Sequence, residues 1–260
     1  MDFQAERFTV LPPAAPRQTA EIGLEAPCGA CPIRHAAVHT QINGKDLEKL
    51  LEIGSRIELR RGQTLFIEGD AASAIYTITS GVMMAYKMTA DGRRQISGFL
   101  FNRDMLGLVN DGCYACSAAA ITDSSLFSYP IPKIQRLVRA YPKMEERLCK
   151  ITRQELIEAH EQLLILGRAS AKERLACFLL KLARHASDRG RPNQEIDIPM
   201  TGEMIADYTG LAQETVSRTL TGFKRSGIIS ETHGQHVLLQ HFGQLEALAA
   251  GLADSKSANR

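Results

Sequence analysis

Gly210-Leu211-Ala212-Gln213-Glu214-Thr215-Val216-Ser217-Arg218 is the stretch on which the reading of this chain turns. Just before it, Thr201 is placed to cap a short helix through Tyr208, because its hydroxyl can accept from an orphan N–H of the first turn. Thr209-Gly210 makes the break, since glycine adopts the left-handed conformation that ends a helix. A second helix then starts near Ala212 and runs toward Gly227. Glu214, Ser217 and Arg218 share one face by the three-and-four spacing, beside Gln213 in the first turn. Leu211, Val216, Leu220 and Phe223 can face inward. This is the form of a helix-turn-helix whose second helix enters the DNA major groove. Arginine can bind guanine bidentately, glutamate can accept from the cytosine amino group, and serine can bond either kind of base edge. An ordinary helix pair with a charged, solvated face has the same local pattern, so the rest of the chain must decide.

The 260 residues suffice for two modest domains. With 31 Lys and Arg against 29 Asp and Glu, the formal charge is +2, which argues against a nonspecific polycation. Basic charge is local instead: Arg218, Lys224 and Arg225 cluster, with Glu214 the acid near them. No run of eighteen apolar residues suggests a membrane span. The first ten residues, MDFQAERFTV, lack the pattern of a secretory signal, so a cytoplasmic protein is expected. The six Cys are then expected in a reducing compartment, where paired cysteines point to metal or redox chemistry. Nothing indicates an enzyme: there is no G-x-S-x-G, no P-loop and no H-E-x-x-H.

Residues 1–42 read as an Ala- and Pro-rich arm carrying Cys28 and Cys31. A short helix is expected over 43–55, with Asn43 as cap. From Arg56 to Tyr129 the pattern becomes short alternating strands, among them Thr64–Ile67, Ala74–Ile78, Val82–Tyr86 and Gln95–Phe99. Gly62, Gly69-Asp70, Ser80-Gly81, Asp91-Gly92 and Gly107 punctuate them, as in a small β-roll. The roll is assigned to 43–136 and a long helix to 137–167. Within that helix Leu148, Thr152, Leu156, Ala159, Leu163 and Leu166 recur at threes and fours, a narrow seam suited to pairing with a second helix. The bland alternative is a helix packed on its own domain. Gly167–Ser170 makes a break, with Ser170 capping a helix over 171–185. Ile196–Ile198 and Val237–Leu239 read as strands flanking the helix-turn-helix, and His233-Gly234-Gln235 as the turn of a wing. This DNA-binding domain is assigned to 168–245 and a polar tail to 246–260. The fold class is α+β.

In that order, Arg60–Asp70, Ile78–Val82, Glu173–Ala176 and Gln213–Arg218 resemble the CRP/FNR family of bacterial transcription factors over roughly residues 44–242. Glu214-x-x-Ser217-Arg218 is similar to the FNR and FixK branches; the cyclic-AMP receptor has Gly at the position of Ser217 and Arg at that of Gln213. The resemblance implies a cytoplasmic homodimer on double-stranded DNA that contacts RNA polymerase and reads an inverted repeat close to TTGAT-N4-ATCAA. It implies base contacts from Gln213, Glu214, Ser217 and Arg218, and phosphate contacts from Thr201, Thr215 and Lys224.

The signal is less plain. Nucleotide-binding members use an Arg-Ser pair after Gly-Glu-Leu to hold a cyclic phosphate. Here those stretches read Met105-Leu106-Gly107-Leu108 and Cys116-Ser117-Ala118, so a buried anion would lack its charge partner. Cys28-Gly29-Ala30-Cys31 resembles the cluster motif of FnrN- and FixK-like regulators, with His39 at the third ligand position. The fourth FNR cysteine would fall within Leu126-Phe127-Ser128, where there is none. Cys113-x-x-Cys116 is a second pair. Two such pairs can supply four thiolates to an iron–sulfur cluster or zinc, or form a thiol–disulfide switch. Cys113 and Cys116 can equally be packing residues of the roll. A cyclic-nucleotide-type or other small-ligand-responsive regulator with no metal is the alternative. Cys149 and Cys177 read as packing residues.

Overall fold

A computed structural model describes residues 52–107, 109–167, 170–187, 194–231 and 235–251. The strands are β1 (Ser55–Leu59), β2 (Thr64–Phe66), β3 (Ala74–Ser80), β4 (Met83–Met88), β5 (Arg94–Leu100), β6 (Met105–Leu106), β7 (Val109–Asn110), β8 (Cys113–Tyr114), β9 (Ser117–Ala120), β10 (Ser124–Pro130), β11 (Glu195–Asp197), β12 (Ile229–Glu231) and β13 (His236–Leu239). The helices are α1 (Ile131–Ala140), α2 (Pro142–Gly167), α3 (Ala171–Ser187), α4 (Gly202–Thr209), α5 (Gln213–Arg225) and α6 (Phe242–Ala249).

Two four-stranded sheets, β1-β10-β3-β6 and β2-β9-β4-β5, form the roll. Tyr76, Ile78, Leu106 and Leu126 from the first meet Phe66, Met83, Ala118 and Ala120 from the second in one core. The second sheet is buried on its other face as well. Met84, Ile96, Phe99 and Ala119 join the core that also holds Leu175, Phe178 and Leu179 of α3 and Tyr208 of α4. Because successive strand residues point to opposite faces, a strand buried on both sides shows no polar alternation. β9 is such a strand: Ser117-Ala118-Ala119-Ala120 is buried at all four positions. That is why neither periodicity nor β-propensity marks it in the sequence.

The turns follow their chemistry. Gly81 has φ +87, and a Cβ there would lie 2.2 Å from Ser124 Oγ. The β4–β5 turn is tied by Thr89 N donating to Arg93 O at 2.8 Å and by Arg93 Nε donating to Asp91 Oδ2 at 2.7 Å. Hydrogen bonds from Thr89 and Arg93 hold the Asp91 carboxyl down to about 2.

Several expected boundaries move. The helix expected over 43–55 ends by Ile53, and β1 begins at Ser55; its earlier part lies outside the described residues. The long helix assigned to 137–167 is two helices. Tyr141, at φ −134 and ψ 92, stands extended between them because the ring of Pro142 disfavours helical angles in the residue before it. Residues 246–249, assigned to the tail, belong to α6, which packs on α3 with Leu245 fully buried. β12 completes a three-stranded sheet, β11-β13-β12, beside the helix-turn-helix; residues 232–234 of the wing turn lie outside the described ones. Among the described residues no helix is long and apolar enough to cross a membrane.

Candidate functional site

The helix-turn-helix is built as its local sequence dictates. Thr201 Oγ1 accepts from Met204 N at 3.2 Å, which caps α4. Its hydroxyl hydrogen can still be given to a phosphate. Gly210 ends α4 at φ +65, and a Cβ there would lie 3.1 Å from Leu166 Cδ2. α5 then buries Val216 and Phe223, at 1% and 3% exposure, against α3 and the three-stranded sheet. Leu211 and Leu220 are half-buried on the same core.

The opposite side of α5 is solvated. Gln213, Glu214, Ser217, Arg218 and Lys224 are exposed, and Thr215 is half-buried. The structure therefore brings the four expected base-reading residues together on the first turns of α5. Gln213 also leans on the start of α4, its Cγ 3.7 Å from the Cβ position of Gly202. Glu214 lies in the first turn and Lys224 and Arg225 in the last, the order that a helix dipole favours.

Three distant side chains hold this unit in place. Arg174 Nη1 donates to the carbonyls of Thr209 and Gly210, each at 3.1 Å, answering the orphan C=O groups at the end of α4. Gln162 Nε2, on α2, donates to Tyr208 O at 2.6 Å. Arg94 Nε, on β5, donates to Asp207 Oδ2 at 2.8 Å. Arg174 was visible in the sequence only as part of Glu173-Arg174-Leu175-Ala176. The other two carry no sequence signal, since contacts between remote segments leave no periodic mark.

On α2 the expected seam is partly as read. Thr152, Leu156, Ala159 and Leu163 are exposed, Leu156 at 57% and Leu163 at 65%. The side chain of Leu148 is outside the described ones. Leu166 departs from the stripe: it is half-buried and turned to Gly210. Ile157 and Leu164 are also exposed and were not expected, whereas Gln162 and Ile165 fill the buried side. Cys149 is exposed rather than packed, because it falls on the same open face. Cys177 is half-buried against α6, its Sγ 3.9 Å from Ala249 O.

In the roll, Cys113 and Cys116 are both half-buried. Between them Tyr114 is buried, its ring stacked 3.9 Å from that of Phe66. Its hydroxyl donates to Ala74 O at 2.9 Å and lies 3.3 Å from the Tyr76 hydroxyl. Burial and the Tyr114 hydroxyl push the Tyr76 phenol well above its ordinary range. Ser117 Oγ accepts from Glu68 N at 3.0 Å. The stretch Cys113–Ala118 thus presents two thiols and a serine engaged by the roll's own loop, beside an interior filled with rings. Among the described residues no three His, Cys, Asp or Glu come together as metal ligands. Cys113 and Cys116 suit half of a thiolate site by type and exposure; Cys28, Cys31 and His39, which a full set would need, lie outside the described residues.

Comparison with known proteins agrees with this architecture. Residues 56–141 match the cyclic nucleotide-binding domain model and residues 173–248 the Crp-like helix-turn-helix domain model. The nitrogen fixation regulation protein FixK of Bradyrhizobium diazoefficiens is 35% identical over 223 residues, 86% of this chain and 94% of that protein. The transcriptional activator protein FnrL of Cereibacter sphaeroides is 33% identical over 222 residues, 84% of this chain and 90% of the relative. The solved structure of FixK2 from Bradyrhizobium japonicum superposes with a TM-score of 0.70 at 29% identity, over 75% of this chain and 97% of that one. With an exposed polar face on α5 and likeness over most of its length to such regulators, the chain belongs to the CRP/FNR family of transcriptional regulators, in its FNR/FixK branch.

Proposed function

We propose that the chain acts as a homodimer that reads an inverted DNA repeat with α5 in the major groove and answers to oxygen or redox state through its cysteines. The observation that carries the DNA half is the exposure of Gln213, Glu214, Ser217 and Arg218 on the first turns of a helix anchored by buried Val216 and Phe223. Arg218 is assigned to guanine, Glu214 to the cytosine amino group and Ser217 to thymine, with Gln213 at the edge of the same face. Thr201, Thr215 and Lys224 hold phosphates, which fix register without reading sequence. The partner in the dimer is a second copy, paired along Thr152, Leu156, Ala159 and Leu163 of α2. Exposed leucines a turn or two apart on a face opposite the chain's own core support that pairing. RNA polymerase is the further partner expected of such an activator.

For the signal, Cys28, Cys31, Cys113 and Cys116, with His39 as a substitute ligand, are assigned to an iron–sulfur cluster. Such a group would supply an oxygen-labile centre in the sensor. Cyclic-nucleotide control is disfavoured by Cys116 and by the Phe66–Tyr114–Tyr76 ring stack. Fluorescence anisotropy on duplexes with and without the inverted repeat tests the DNA reading: the repeat should bind 10³-fold or more tighter than random sequence, an order typical of specific recognition. Equal affinity for both would overturn it.

A further inference from the structure

The hairpin of β4 and β5 reaches from the sensor roll to α4, the first helix of the helix-turn-helix. Arg94, at the start of β5, sets both Nε and Nη2 2.8 Å from Asp207 Oδ2, and Nη2 lies 3.8 Å from Glu203 Oε1. Next to it, Gln95 Nε2 donates to Asp207 O at 2.6 Å. The Arg94 and Asp207 side chains are only 26% and 22% exposed. Arg93 is not available for this work, because it is turned back onto Asp91 in the hairpin turn. Beside the pair runs an open groove of about 890 Å³ lined by Tyr86, Met88, Glu203, Gly210 and Ala212. At the groove the joint is held by these polar contacts, and further along β5 the Phe99 ring packs 4.9 Å from that of Tyr208.

We infer that Arg94 and Asp207, with Gln95, are positioning residues for DNA recognition: they fix the orientation of the recognition helix relative to the sensor. This rests on the reading of the chain as a dimeric DNA-binding regulator. The direction of the effect follows from what the contact leaves uncovered. Gln213, Glu214, Ser217 and Arg218 are exposed while the hairpin grips α4. Releasing the grip uncovers nothing and relieves no block. It only lets α4 take a wider range of angles on the sheet to which the Phe99–Tyr208 contact still joins it. Two recognition helices must sit one helical turn apart on an inverted repeat, and the apparent Kd rises as the fraction of molecules so arranged falls.

The test uses the full chain with Arg94→Gln, Asp207→Asn and the double variant. Each is measured by fluorescence anisotropy on two duplexes, one with the native spacer between half-sites and one about half a helical turn longer. Each single variant should lose about tenfold in affinity for the native spacing, and its preference for that spacing over the long one should shrink by a similar factor. The double variant should be no worse than either single one, since both break the same contact. A merely structural role would lower the melting temperature and weaken both duplexes alike. An unchanged spacing preference, or losses that add in the double variant, overturns the inference. Should Arg94→Gln not fold, Asp207→Asn decides alone, because it is nearly isosteric and leaves the Gln95 bond to the backbone in place. A wild-type protein that does not distinguish the spacings overturns the dimeric reading itself, and a wild type that distinguishes them beside unaffected variants overturns only the positioning role.

Discussion

Arg218 stands one helical turn beyond Glu214 on the open side of α5, clear of the core that Val216 and Phe223 enter. Replacing it with alanine should cost about 1–3 kcal/mol per half-site and relax discrimination at one G·C pair. Binding to a panel of single-base variants of the repeat checks this; an equal loss on random DNA would refute the base contact. Gly210 offers a second expectation of the same size. Alanine there must hold φ +65 and bring its Cβ to 3.1 Å from Leu166 Cδ2. The backbone term alone is about 1–2 kcal/mol, so Gly210→Ala should lower the unfolding midpoint in urea. The placement of both residues was legible in the sequence because it is local: a cap, a left-handed turn and a three-and-four spacing are written within ten residues. Arg94 and Asp207 were not. They lie 113 residues apart, and each alone is an ordinary surface charge.

α2 has two faces that the sequence merged into one. Gln162 and Ile165 go to the chain's own core, while Leu156 and Leu163 face away from it. Leu166 was read into the exposed stripe, yet at the end of the helix it turns toward the helix-turn-helix. A spacing pattern cannot tell which of two apolar partners a residue meets, since both give the same period. The exposed set makes a sharp prediction. Leu163→Asp should set two carboxylates against each other across a dimer seam, and light scattering at micromolar concentration should then show a monomer with lost DNA binding. A dimer that survives the change would place the interface elsewhere. β9 was hidden for another reason: its three alanines serve two cores at once, and small residues buried on both faces leave no stripe to detect.

At the scale of the whole molecule, the order of roll, long helix and winged helix-turn-helix was legible, because each module has its own turn and spacing signals. A signal was not, because a ligand set drawn from remote segments would leave no local pattern. Cys113 and Cys116 carry a concrete expectation nonetheless. Protein purified without oxygen should be brown and contain iron. Cys28→Ser, Cys31→Ser and Cys113→Ser should each remove most of that iron, while Cys149→Ser, on the exposed face of α2, should not. Colourless, iron-free wild type would refute the cluster, and DNA binding unchanged between air and reductant would refute a thiol switch too.

The sheet β2-β9-β4-β5 has the roll's core on one side and the core of the DNA-binding half on the other. It works as a party wall between two rooms. Neither half can be denatured while that wall stands intact for the other, so heating should give one calorimetric transition rather than two, with calorimetric and van't Hoff enthalpies in agreement. The last amide protons to exchange with deuterium should then be those at the middle of the wall, in β4 and β9 around Met84 and Ala119, released only by global opening. A scan with two resolved peaks, or early exchange at those amides, would show that the two halves come apart before either one melts.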